Sequence, residues 1–169
     1  MIKGYIRKAN IRDLEQIMII IYQAVKQLHD LNINQWQDGY PNELSIKDDI
    51  YNNSGYVYIL NNDVIGYFYL TNTNEPTYNK IDGQWLSNTR YMTIHRFVVN
   101  SNYQRMNVAS NMLKYIIDIC LKNKYNIRID THKDNVRMKR LLTKNNFIYC
   151  GEIVLLDNSL RNAYELELR

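Results

Sequence analysis

The segment from Tyr91 to Asp130 constrains the fold more than any other part of the chain. Tyr91–Val99 is a β-branched and aromatic run that stops at Asn100. From Val108 the apolar positions Val108, Met112, Tyr115, Ile116, Ile119 and Cys120 fall on one face of a helix reaching about Lys124, and Ile127–Asp130 returns to strand composition. Strand, helix and strand in succession form a βαβ unit, with Tyr91–Val99 as the expected central strand. Such a unit commits the chain to a sheet with helices packed on it.

The flanking sequence fits that frame. Ile2–Arg7 is a short strand candidate, and Asn10 offers an N-cap to a helix whose apolar stripe is Ile11, Leu14, Ile17, Met18, Ile21, Val25 and Leu28, ending near His29. Asn32–Glu43 breaks the period and reads as a loop and candidate lid, before a short helix that Ser45 is expected to cap. Tyr56–Leu60 and Val64–Leu70, joined by Asn61–Asp63, read as a β-hairpin. A polar loop with Pro76 and Trp85 precedes the central strand. A further helix over Asn135–Lys144 then leads to strands at Phe147–Leu155 and Ala163–Leu168. The expected class is α+β, or α/β layered: a mixed sheet with helices packed on it.

A length of 169 residues with 46% hydrophobic content supports one core, so residues 1–169 are expected to form one domain. The net charge of +4 is spread along the chain, and no basic stripe with interleaved aromatics appears, which argues against a nucleic-acid partner. Cys120 and Cys150 stand alone in apolar surroundings, and His29 and His132 have no partner at metal-ligand spacing. Neither a disulfide framework nor a metal site is expected. With no apolar segment of spanning length and no apolar run after the basic N-terminus, a membrane is not expected and a reducing cytoplasm fits.

The chemistry is concentrated after the central strand, where Gln104, Arg105, Met106, Asn107, Val108, Ala109 and Ser110 lead straight into a helix. Unpaired N–H groups and the positive dipole end make a helix N-terminus a holder of phosphates. Arg105 adds a mobile positive charge. Ala109 and Ser110 are small where a backbone must come close to a ligand, and Asn107 tolerates the left-handed φ such a loop requires. The plainer reading of these residues is an ordinary strand-to-helix connection; the surrounding element order favours the phosphate loop.

Gln104-x-x-Asn107-x-Ala109 resembles the acetyl-CoA loop of the GNAT superfamily of N-acetyltransferases, Gln/Arg-x-x-Gly-x-Gly/Ala, with Asn in place of one Gly. Asn135 opening the next helix and Asn146-Phe147 opening the next strand resemble the family's later Asn and its Gly-Phe pair. The resemblance covers nearly the whole chain. It implies a GNAT-like, mostly antiparallel sheet of about seven strands with about four helices. It also implies acetyl-CoA as acetyl donor, with the pantetheine arm beside Phe97, Val98 and Val99, the pyrophosphate on Gln104–Ser110, and Asn135, Met138 and Lys139 near the CoA. Many members protonate the leaving thiolate with a Tyr, and the matching position here is Leu142.

His95, alternating with Phe97 on the central strand, is the candidate general base, against the plainer reading of a strand histidine. Trp36, Tyr40, Trp85 and Tyr91 are candidate lining residues for an acceptor pocket, although with 15 Tyr in the chain packing is the default. Asp130 and Thr131 either position an acceptor amine or cap the next turn, and the cap is preferred. The expected activity is transfer of an acetyl group to a primary amine of a small molecule or peptide, by a monomer or homodimer. The alternative is a CoA-binding sensor or interaction domain of the same fold that has lost turnover.

Overall fold

The structure is a computed structural model and describes residues 3–168. The first strand, β1, is Tyr5–Lys8; Ile2 of the expected run lies outside the described residues. The Asn10 side chain accepts from the Arg12 N–H and caps a 3-10 turn, Ile11–Asp13, that feeds helix α1, Leu14–Asp30. Asp13 returns the bond to the Asn10 N–H at 2.8 Å and takes both guanidinium arms of Arg7 at 2.7 and 2.9 Å, tying β1 to the start of the helix.

Helix α2, Glu43–Tyr51, is capped by Asn42 and not by Ser45. The two form a reciprocal capping box, in which Ser45 holds the Asn42 N–H while Asn42 holds the Ser45 N–H. Strands β2, Gly55–Leu60, and β3, Asp63–Thr71, make the expected hairpin, with Asn61 and Asn62 at φ of 51° and 69° in its turn.

The loop after β3 holds a 3-10 turn, Pro76–Asn79, and an unforeseen two-residue strand, β4, Asp82–Gly83. The central strand β5 is Tyr91–Val99. Helix α3 is Val108–Lys122, β6 is Asn126–Thr131, α4 is Val136–Lys144 with Asn135 as its N-cap, β7 is Ile148–Val154 and β8 is Leu160–Leu166. β4 raises the strand total to eight, in the order β1-β2-β3-β5-β6-β8-β7-β4. The β5–β6 ladder is parallel and consists of Tyr91↔Asn126, Met92↔Ile127 and Thr93↔Arg128. The β1–β2, β2–β3, β4–β7, β6–β8 and β7–β8 pairs are antiparallel.

The chain forms two compact units. The first comprises the residues up to Leu70 with His95–Tyr115, and the second Thr71–Ile94 with the residues from Ile116 on. In the first, Ile17, Met18, Ile20 and Ile21 of α1 pack with Ile46, Val57, Ile59, Val64, Tyr67 and Val98. A Cβ on Gly66 would press into the Met112 sulfur, so that glycine lets α3 lie close on β3. In the second unit, Tyr78, Ile153 and Ala163 form a core flanked by Ile81, Trp85, Tyr91 and Leu155. Gly83 and Gly151 pair across β4 and β7, where a Cβ on either would strike the other's backbone.

Cys120 and Cys150 are buried and unpaired, and burial pushes the Cys120 thiol up to about 12, which leaves it unreactive at neutral pH. Among the described residues no group of His, Cys, Asp or Glu is arranged to hold a metal ion. No described helix is long and apolar enough to cross a membrane.

Candidate functional site

In the first unit, β5 carries Phe97 and Val98 into the core and leaves Val99 half-buried. After it the Asn100 side chain accepts from the Asn102 N–H at 3.0 Å and starts a single 3-10 turn, Ser101–Tyr103. Gln104 is extended, and Arg105 and Asn107 then take left-handed φ of 64° and 61°. Two such residues within three positions turn the backbone sharply between β5 and α3. The Asn111 N–H bonds the Asn107 carbonyl at 3.0 Å and begins α3.

Arg105, Met106 and Asn107 are exposed, Val108 is buried, and Ala109 and Ser110 are half-buried on the first turn. This loop stands at the head of a 15-residue helix, whose positive dipole end and first N–H groups favour an anion, with Arg105 exposed beside it. The asparagine that stands where the loop motif has glycine adopts the conformation glycine would supply. Asn146, before Phe147, does the same at φ 66°.

Three glutamines of α1 hold neighbouring segments, two through backbone and one through a side chain. Gln16 accepts from the Val64 N–H at 2.8 Å, Gln23 accepts from the Ser101 N–H at 3.0 Å, and Gln27 accepts from the Gln104 carboxamide at 2.9 Å. The connection after β5 is therefore fastened to α1 at both its 3-10 turn and Gln104.

His95 and Arg96 lie where β5 departs from regular geometry. Arg96 has a left-handed φ of 52°, and burial along the strand runs in pairs instead of alternating residue by residue. The His95 ring stacks on Tyr69, centroids 5.8 Å apart. The Arg96 guanidinium lies 4.8 Å from the Tyr69 ring centroid and 5.3 Å from that of Tyr40. Its Nη1 is 3.3 Å from one oxygen of Asp49 on α2, while the other oxygen accepts the Tyr67 hydroxyl at 2.6 Å.

Asp49 is 3% exposed, and burial lifts its carboxyl above the usual range despite the opposing pull of Arg96 and of the Tyr67 hydrogen bond. Burial and the neighbouring Asp49 push the Tyr67 phenol far up, so it remains a donor. Asp49, Tyr67, Tyr69 and Arg96 are absent from the sequence-derived site. The available signal was an arginine inside an otherwise apolar strand.

The remaining candidates divide between the units. Trp36, at φ 60°, packs against the core of the first unit, and Tyr40, 39% exposed, lies beside Arg96. Trp85 and Tyr91 belong to the second unit and hold the buried Arg128 between their rings at 4.1 and 4.0 Å, and the Trp85 indole N–H bonds the Tyr78 carbonyl. Glu165, fully buried, stands 3.4 Å from the same guanidinium. These contacts give Trp85 and Tyr91 a packing role around a buried charge.

Asp130 accepts the Tyr78 hydroxyl at 2.7 Å and is not itself the cap of α4; that role falls to Asn135, whose side chain accepts from the Met138 N–H at 3.2 Å. Met138 and Lys139 are half-buried on the first turn of α4, with the Lys139 ammonium on the Lys133 carbonyl. Leu142 is fully buried.

Comparison with known proteins adds to this geometry. Residues 22–147 match the acetyltransferase (GNAT) family. A GNAT-family acetyltransferase structure from Streptococcus agalactiae is 32% identical, with a TM-score of 0.88 over 98% of this chain and 95% of that one. A Staphylococcus aureus protein, 24% identical, superposes with a TM-score of 0.76 over 98% of this chain and all of its own. A Salmonella typhimurium protein solved with its cofactor acetyl-CoA is 16% identical, with a TM-score of 0.70 over 98% of this chain and 94% of that one. No curated protein matches the sequence.

Proposed function

The chain belongs to the acetyltransferase (GNAT) family, and from that premise we propose that it moves the acetyl group of acetyl-CoA to a primary amine of a small molecule or peptide by direct attack. The observation that carries this reading is the loop with left-handed Arg105 and Asn107 at the head of α3. The first N–H groups of that helix, the Arg105 cation and the small Ala109 and Ser110 suit a pyrophosphate, so these residues fit the donor. Phe97, Val98 and Val99 would lie along the pantetheine arm, and Asn135, Met138 and Lys139 of the second unit are assigned to the CoA by the family resemblance.

When bound, acetyl-CoA supplies an activated thioester carbonyl. The imidazole of His95 takes the proton of the incoming ammonium, freeing the nitrogen lone pair for attack at that carbonyl. A backbone N–H near Val98 and Val99 would support the oxygen as it gains charge, the acetyl C–N bond forming as the C–S bond breaks. Leu142 has no proton to give, so the departing thiolate takes one from water. A thiol of pKa roughly 8.5 to 10 leaves readily enough for that.

Leu142 also favours a second reading, a CoA-binding sensor without turnover. A screen of primary amines with acetyl-CoA, followed by free-thiol release, separates the two. Release above the no-amine rate with any acceptor rejects the sensor, and none with the whole panel rejects the transferase.

Both readings require acetyl-CoA to bind the folded chain. Thermal melts with acetyl-CoA at about 100 times its Kd should show stabilisation near 2.7 kcal/mol, seen as a raised Tm. An unmoved Tm at saturating cofactor rejects the loop assignment. Leu142→Ala should lower stability by about 2 to 5 kcal/mol through the cavity it leaves, with turnover per folded molecule little changed. Chemical denaturation with parallel thiol release checks both halves; a fall in turnover without a fall in stability would give Leu142 a role in the reaction.

A further inference from the structure

Resting on the transferase reading, we propose that Arg96 determines acceptor specificity, and that the acceptor is an amine carrying a carboxylate whose oxygens take the guanidinium edge that Asp49 leaves unfilled. A guanidinium offers donors in a planar fork, and a carboxylate normally fills two of them at about 2.7–2.9 Å. Asp49 does not do so at that distance. One of its oxygens accepts the Tyr67 hydroxyl at 2.6 Å, and the other stands 3.3 Å from Nη1 of Arg96.

The Arg96 Nε is buried and finds no hydrogen-bond partner among the described residues. Leaving a charged donor buried and unmet is costly, so a fold that keeps one has a use for it or a ligand that meets it.

The surroundings select the shape of the anion. Tyr69 and Tyr40 lie beside the guanidinium at 4.8 and 5.3 Å, which favours a flat group in the plane of the fork over a tetrahedral one. The guanidinium side chain retains 13% exposure, and Tyr40 comes from the exposed loop between α1 and α2, so a small ligand can reach this edge with a shift of that ring. The Arg96 guanidinium and the His95 ring both lie against the Tyr69 ring, so an acceptor anchored here by its carboxylate has its amine near the proposed base.

The test uses the intact chain saturated with CoA, which binds without reacting, and titrates amino acids, each paired with its carboxamide, by calorimetry. The parent should bind the acids about 10- to 100-fold more tightly than the amides, the range of a charge-assisted pair. Arg96→Gln should erase that preference, and Arg96→Lys, which keeps the charge without the fork, should retain part of it. The Asp49→Asn/Arg96→Gln double variant keeps the cluster neutral if Arg96→Gln alone fails to fold, and a CoA-induced rise in Tm certifies each variant.

Equal binding of acids and amides by the parent, no binding of any acid, or a preference that survives in folded Arg96→Gln overturns the proposal. Tighter binding of phosphoethanolamine than of any amino acid does so as well. Thiol release with acetyl-CoA is followed in parallel. A carboxylate preference without release would reject acetyl transfer and leave the anion site standing.

Discussion

Replacing His95 by alanine lowers turnover by about 10²- to 10⁴-fold while the affinity for acetyl-CoA stays within a few-fold of the parent's. The size follows from the role: the acceptor arrives as an ammonium, and the variant has no positioned group to take its proton. The proposed cofactor contacts lie on residues from Phe97 onward, whereas the His95 side chain stacks on Tyr69. The loss should therefore fall in kcat and in kcat/KM for the amine. Steady-state rates across pH, with the acceptor that scores best in the amine screen, provide the measurement. An unchanged rate and pH profile would remove His95 and leave water, or Tyr149 or Tyr164 of the last strands, as the proton carrier.

Ala109→Glu should weaken acetyl-CoA binding by about 10²-fold or more. Ala109 is half-buried on the first turn of α3, where the backbone would meet the expected pyrophosphate. A carboxylate at about 5 Å from one phosphate charge costs about 3 kcal/mol at an effective dielectric near 20, before any loss of contact through bulk. The α3 residues packed in the core, Met112, Leu113 and Ile116, are untouched, so the fold should persist. Calorimetric titration of CoA into parent and variant decides the matter. Equal affinities would place the phosphates elsewhere.

The parts of the fold legible in the sequence are those set by local patterning. Tyr91–Val99 is a strand because its side chains are β-branched and aromatic, and its observed limits coincide with that composition. Asn107 was open to left-handed φ because its side chain tolerates that region, and the backbone there adopts it. Features that depend on reciprocity or distant pairing were hidden. Asn42 and Ser45 are each a competent cap, and only the box between them shows which one leads. β4 is two residues long and exists because Gly83 faces Gly151, far away in the chain.

The Asp49–Tyr67–Arg96 cluster draws on α2, β3 and β5, and burial along β5 does not follow the alternation by which a strand's inward residues are recognised. Trp85 and Tyr91, acceptor-lining candidates on the sequence alone, have ring faces taken by Arg128. That partner, 37 residues or more along the chain, gives no local sign of itself.

The glutamines of α1 bear on the kinetics of cofactor capture. With Gln23 on the Ser101 N–H and Gln27 on the Gln104 side chain, the loop leading to α3 is fastened as the chain folds. The entropy of ordering it, about 1–2 kcal/mol for each backbone residue, is thus spent in folding and not at the moment of encounter. On the proposed loop assignment, most molecules would then meet the cofactor already in the receptive conformation, and the affinity would not be diluted by an unreceptive fraction. Association can proceed by docking onto a preformed cradle, and the lifetime of the complex is left to the contacts themselves.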